Sequence, residues 1–485
     1  MRRLLEECTR ILQDFEESHE VESAAFGDID IWPLMRLTFY HALTNDQEPG
    51  VEKEENKTRR KIPVGNVAQE LDEWIAKTEE TLGSRREIYF VQSTKVIQGR
   101  NGGPYHRFFD SLIELSESRD SAGFLFWNDG RSVVEMGSLR SPSVSYQELG
   151  RLARRWARSD DPKIESLKLN DVAVRLIEEW NRAFPNNTIS IELFRWDCLL
   201  LQILEEAFQR FLAPQVCVVF ATCFYSLPVF ALSLACRRRG IPMIELQHGQ
   251  QGEWHPMYTH WSEKGVSRPG LLPTHFWMWG RAYAERLKKW WPSGQFEIRC
   301  GGNPWLIRRG EEISEKGVEG DSKKRKVVLV SMQFLEIDKI VLDCAKKRED
   351  LEWWFRLHPR MSDKIESVAE TCRKELGAEA VWEVEVATKA DFYELLQSVD
   401  VHLTGWSTTA YEAAWFGKPT VLTHPNGKAA MANDIENGLF GYARSCEELS
   451  RKIDSASVPE DEVSRFFEPK QSLLEIFDSL RTVST

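Results

Sequence analysis

Strand–helix alternation occurs twice in this chain, the two runs separated by one polar, charged break, and that repetition limits the fold more than any other feature. In the first run QVCVVF leads to a helix ending at Arg239, and PMIEL leads to the loop QHGQQGEWHPMY. THFWMW then leads to Gly280 and the helix RAYAERLKKWW, and FEIRC ends at GGNPW. The second run opens with KVVLVSM and a helix, then LEWWFRL and a helix to about Leu376. It continues with strand AVWEVEV, helix ADFYELLQSV, strand DVHLTG, helix STTAYEAAWFG and strand PTVLTH. Apolar strands joined by long helical crossovers argue a parallel sheet. The expected class is α/β, with two Rossmann-like doubly wound domains facing a cleft. Ligands of such sheets bind beyond the carboxyl ends of the strands.

The boundaries follow from composition. Residues 1–80 read as an N-terminal helical extension with an acidic, lysine-rich loop over 46–61. Residues 81–308 read as the first Rossmann-like domain, opening on strands Glu87–Gln92 and Gly123–Trp127, with mostly helix over 149–212. Residues 309–326, RGEEISEKGVEGDSKKRK, read as a linker, and 327–485 as the second domain. Val216–Cys236 is uncharged and runs into Arg237-Arg238-Arg239. Its β-branched start, its polar middle with Pro228 and its end at Gly240 predict strand, loop and helix instead of a membrane span.

A net charge of −12 argues against general nucleic-acid binding. The nine cysteines show no C-x-x-C pair, as suits reduced thiols in a cytoplasmic protein. Acids interrupt the N-terminus too early for a signal peptide. No zinc spacing, Walker loop or Gly-x-Ser-x-Gly elbow is present. Asp28-Ile29-Asp30 has the spacing of a metal-binding pair but precedes Ile31-Trp32-Pro33, so a helix entry is expected there and no metal site.

Four segments can carry chemistry. After a strand ending at Thr404-Gly405, Ser407-Thr408-Thr409 open a helix, where unpaired amides and hydroxyls favour a phosphate; ordinary capping is the competing reading. LEWWFRLHPR delivers His358, Pro359 and Arg360 to a strand end; His358 can donate to a phosphate and Arg360 can grip one with two hydrogen bonds. Gln247-His248-Gly249 turns at the end of PMIEL, with His248 as base or leaving-group partner and Gly249 permitting close backbone approach. GRNGGPYHRFFD, with Arg100 in an acceptor-binding loop, offers His106 and Asp110 as general bases.

The His-Pro-Arg end, the Gly-Trp-Ser-Thr-Thr turn and YEAAWFGKPTVL together resemble the C-terminal domain of GT-B glycosyltransferases. The likeness is greatest to bacterial capsule and lipopolysaccharide enzymes, including polysialyltransferases and Kdo transferases, which use CMP-sugars. It is firm over about residues 325–440, weaker over 215–305 and absent before 200. The resemblance implies that His358, Ser407, Thr408 and Thr409 hold the nucleotide phosphate and that Glu412 reaches the ribose. It also implies that His248 faces the cleft and that Gly301-Gly302-Asn303-Pro304 is an interdomain hinge. The activity it implies is metal-independent sugar transfer from a nucleotide sugar to a glycan or lipid-linked acceptor, without a cofactor, in the cytoplasm or peripherally at the inner face of the membrane. A CDP-polyol phosphotransferase and a noncatalytic glycan- or nucleotide-binding subunit are the alternatives.

Overall fold

The computed structural model describes residues 5–44, 65–82, 87–92, 97–98, 104–126, 143–145, 147–157, 166–212, 214–249, 251, 254–291, 294–316, 325–377 and 379–482. They divide into two compact units, residues 1–304 with 469–485, and residues 305–468.

The first unit is built on seven parallel strands: β1 (Ile88–Gln92), β2 (Ala122–Phe126), β3 (Ser143–Ser145), β4 (Val218–Ala221), β5 (Met243–Leu246), β6 (His275–Met278) and β7 (Glu297–Cys300). Their order is β3-β2-β1-β4-β5-β6-β7. The chain winds outward one way from β1, then returns to its other side and winds the opposite way, which puts the topological switch between β1 and β4. Central strands are buried on both faces, so every residue of β4, β5 and β6 is buried, while β7 alternates exposed and half-buried residues as an edge. Phe90 lies opposite Phe124 on one side and Phe220 on the other.

The uncharged segment resolves as β4, a turn, and helix Leu227–Arg238 with Pro228 in its first turn. The guanidiniums that end it have protein partners. Arg237 donates to the Leu272 and Pro273 carbonyls, Arg238 pairs with Asp28 and Glu205, and Arg239 donates to the Gln209 carbonyl. Among the described residues no helix is long and apolar enough to cross a membrane.

Helices Leu5–Ser18 and Trp32–Thr44 flank a short hairpin, Ala25–Phe26 with Ile29–Asp30. Asp28 and Asp30 belong to this hairpin, ahead of the helix, and pair with Arg238 and Arg268. The helices are locked by a fully buried ion pair of Glu16 and Arg36. Glu16 also accepts from the Trp32 indole and the Ser262 amide, and Arg36 donates to the carbonyls of Pro256 and His260. The N-terminal helices are therefore part of the first unit and brace the loop that follows β5.

The second unit carries six parallel strands: β8 (Lys326–Ser331), β9 (Leu351–Arg356), β10 (Val381–Glu383), β11 (Val401–Thr404), β12 (Thr420–Leu422) and β13 (Phe440–Tyr442). The order β10-β9-β8-β11-β12-β13 places its switch between β8 and β11. Trp353, Phe355, Val328, Val330 and Leu403 form a core with Val341, Cys344, Val368, Cys372 and Leu449 from three helices.

Three sequence expectations change. Helix Pro304–Lys316 fills the first part of the expected linker, because Leu306, Arg309 and Ile313 form a buried stripe at helical spacing within the charged run. Arg309 tolerates burial by pairing with Glu312 and Asp391. Residues 469–485 leave the expected C-terminal domain for the first unit: in helix Lys470–Thr482, Phe477 stacks on Phe220 at 5.8 Å and Arg481 pairs with Glu87. AVWEVEV keeps only β10 as strand. Glu383 caps the Val386 amide, and Arg356 draws in the Ala387 and Ala390 carbonyls, so Glu385–Lys389 coils into a helix.

Candidate functional site

The ends of β8 and β11 meet at the second sheet's switch. Gln333, just past β8, accepts the Trp406 amide at 2.8 Å, and a Cβ on Gly405 would come within 2.9 Å of that same oxygen. Thr404 Oγ1 donates to the Ser331 carbonyl at 3.1 Å. The capping reading holds for Ser407, whose hydroxyl accepts the Thr409 amide at 3.3 Å. Thr408 is exposed and makes no side-chain cap bond, and Thr409 Oγ1 is buried with no partner among the described residues. Helix Thr409–Trp415 carries Glu412, which accepts the Tyr393 hydroxyl at 3.0 Å; that hydroxyl in turn accepts the Trp305 indole N–H at 2.8 Å. Phe334, 58% exposed, meets Trp406 edge-on at 5.0 Å, and Trp406 lies 4.5 Å from His424. An aromatic surface therefore borders the hydroxyls.

His358 follows β9, one strand beyond β8. Its Nδ1 accepts the Arg360 amide at 3.2 Å, which leaves the proton of the neutral ring on Nε2, and both residues are exposed. All three His-Pro pairs use this device. His255 accepts the Met257 amide at 3.2 Å and His424 the Asn426 amide at 3.1 Å. The dipeptide is a capping element because proline has no N–H and fixes its own φ for a helical first turn. What sets His358 apart is its place in the sheet.

In the first unit His248 follows the end of β5, one strand beyond β4 and the switch. Its Nε2 lies 3.1 Å from Cys223 Sγ. Its Nδ1 lies 3.3 Å from Glu245 Oε1, within ion-pairing range but too poorly aligned for a hydrogen bond. Glu245 is buried and accepts the Cys223 amide at 3.1 Å, the Phe224 amide at 3.0 Å and the Tyr258 hydroxyl. Burial alone lowers the His248 pKa, but Cys223 and Glu245 outweigh it and push it up to about 10. His106 and His255 go the other way, down to about 3, first through burial and then through the charge on His248.

His106 and Asp110 sit nearby in reciprocal capping. Asp110, fully buried, accepts the His106 amide at 2.6 Å, while His106 Nδ1 accepts the Phe109 amide at 3.1 Å. Gln247 is buried and fixes the turn: its side chain accepts the Trp279 amide and donates to the Gly249 carbonyl, and its own carbonyl accepts the Trp279 indole. Open space surrounds the position a Cβ would take on Gly249. At Gly301 a Cβ would lie 2.1 Å from the Trp277 ring, so packing alone requires glycine there, and the units divide just after Pro304. Arg100 lies outside the described residues.

Sequence reasoning missed Cys223, Glu245 and His402. Glu245 is one acid inside an apolar strand, PMIEL, and that burial signal was available. His402 is fully buried between Thr420 Oγ1 at 3.0 Å and Ser331 Oγ at 2.9 Å, and burial lowers its pKa to about 3.

No protein-family model and no curated protein matches this sequence. Solved structures do match. A UDP-GlcNAc 2-epimerase from Neisseria meningitidis bound to UDP-GlcNAc is 13% identical, over 81% of this chain and 98% of that one, with a TM-score of 0.46. The UDP-GlcNAc 2-epimerase of Methanocaldococcus jannaschii is 11% identical over 81% and 99%, with a TM-score of 0.47. An α,α-trehalose 6-phosphate synthase from Burkholderia multivorans is 11% identical over 82% and 97%, with a TM-score of 0.42.

Proposed function

We propose that the chain is a metal-independent glycosyltransferase that takes a nucleotide sugar, a CMP-sugar by motif resemblance, and transfers the sugar to a glycan or lipid-linked acceptor. The setting is bacterial surface polysaccharide synthesis, of capsule or lipopolysaccharide. The observation that carries this reading is the carboxyl edge of the second sheet. Ser407, Thr408 and the unpartnered Thr409 hydroxyl end β11 at the switch, and His358 with its Nε2 proton ends β9. Those strands are two spacings apart, about 10 Å, a span suited to a phosphate-bearing ligand. Arg360 adds charge, and the Phe334–Trp406 surface suits a nucleobase face.

Leaving-group charge is offset by these donors, with no cofactor. Glu412, oriented by Tyr393, is assigned to the ribose. The first unit takes the acceptor, with His248, His106 and Asp110 as its candidate proton-handling groups. The protein is assigned to the cytoplasm, with peripheral contact at the inner membrane face where the acceptor is lipid-linked.

Thermal shift with CMP, UDP, GDP and their sugars tests the donor site, since a bound nucleotide raises the melting temperature by mass action. Incubation of the responding sugar nucleotide with candidate acceptors then tests the reaction. Release of free nucleotide with sugar on the acceptor supports it. Phosphate carried to the acceptor would mean the phosphotransferase instead. Absence of any nucleotide response would remove the reading.

A further inference from the structure

We propose that Cys223 is a nucleophilic thiol, with His248 across the Sγ–Nε2 contact as its proton acceptor and Glu245 holding both residues in place. The inference does not rest on the sugar-transfer reading, although His248 is common to both. Cys223 has φ +57°, a left-handed conformation that a residue with a Cβ rarely adopts. It lies two residues past the end of β4 and before helix Leu227–Arg238, the place of a nucleophile in a strand–turn–helix elbow. One buried carboxylate organises the arrangement. Glu245 pins the strained turn through the Cys223 and Phe224 amides and lies under His248 Nδ1, so the nucleophile and its proton partner rest on the same support.

The other thiols differ. Cys8, Cys198, Cys236, Cys344 and Cys372 are core residues, and burial pushes Cys344 and Cys372 up to about 12. Cys217, Cys300 and Cys446 are half-buried like Cys223, and Cys217 Sγ donates to the Gln215 carbonyl at 3.5 Å.

The geometry also indicates the electrophile. In a hydrolase elbow, backbone amides receive a carbonyl oxyanion. Here Glu245 occupies the amides of Cys223 and Phe224, so the site suits displacement at a saturated carbon more than acyl transfer. In that step the sulfur lone pair forms the C–S bond, the carbon–leaving-group bond breaks with its electron pair, and the thiol proton passes to His248. The titratable groups facing His248 are Cys223, Tyr225, Glu245 and His255, with His106 in reach of its charge and Tyr258 joined through Glu245.

The test is iodoacetamide labelling of the full chain from pH 5.5 to 9, with peptide mapping of each cysteine. At pH 6 Cys223 is expected to react at least tenfold faster than Cys217, Cys300 and Cys446, and the ratio should shrink toward pH 9. H248N should lower the Cys223 rate at pH 6 at least tenfold, with circular dichroism checking the fold. Parity of Cys223 with the other three at pH 6 in the unaltered chain overturns the proposal, as does a folded H248N that labels at the normal rate. A stoichiometric p-nitrophenol burst from p-nitrophenyl acetate, absent in C223S, would overturn the preference for saturated carbon.

Discussion

Replacing His358 by asparagine separates its two jobs. As a cap, His358 accepts one amide hydrogen bond from Arg360. Asparagine is among the best N-cap residues and can accept the same amide, so H358N should change stability by under about 0.5 kcal/mol, whereas H358A should cost about 1 kcal/mol. For a unit of this size, 1 kcal/mol corresponds to about 2–4 °C in melting temperature. As a donor, the ring presents its Nε2 proton on the far side from the cap, and asparagine cannot reach that point. A hydrogen bond to a charged phosphate contributes about 1.5–3 kcal/mol. At about 1.4 kcal/mol per decade, H358N should lose roughly 10- to 150-fold in kcat/KM, and H358A the same or more. Calorimetry on both variants, beside turnover of the donor identified by thermal shift, makes the comparison. An H358N enzyme with near-normal kcat/KM would refute the phosphate role. Equal losses of stability and activity in both variants would show the cap to be the whole of it.

The paired change S407A/T408A should weaken nucleotide binding by about 1.5–3 kcal/mol for each charge-assisted bond lost, read by calorimetric titration. An unchanged Kd would remove these hydroxyls from the site. Chelation with EDTA should leave sugar transfer intact; a strict requirement for added magnesium or manganese would count against the mechanism. Acid should weaken the second unit through His402, whose pKa falls from an ordinary 6.5 to about 3 on folding. Between those values the unfolded chain binds a proton that the folded chain refuses, so stability falls as pH drops below about 6.5. The slope from this one group is about 1.4 kcal/mol per pH unit. Urea midpoints from pH 7.5 to 5 should show it, and a slope unaltered in H402Q would disprove the assignment.

The sheets were legible because buried parallel strands leave apolar runs that need no partner to be recognised. QVCVVF, LEWWFRL and KVVLVSM became strands, and the uncharged segment at 216–236 divided where its polar middle and Pro228 divide it. Elements defined by long-range partners were harder to read. The helix over 304–316 hides its stripe beneath charge, because Arg309 is buried with a partner, Asp391, far along the chain as well as with nearby Glu312. Site residues followed the same rule. His248 could be singled out from its turn, but Cys223 gained meaning only when β4 and β5 were paired and brought it to the imidazole.

The last helix, Lys470–Thr482, has a consequence for how the molecule is made. It completes the first unit, yet it leaves the ribosome after every residue of the second. Until then the aromatic face of Phe220 lacks the ring of Phe477, and Glu87 lacks Arg481. The half synthesised first is thus the half finished last, and a nascent chain halted anywhere in the second unit exposes an apolar seam in the first. Such chains are natural clients for chaperones and proteases, and docking of helix Lys470–Thr482 closes that seam.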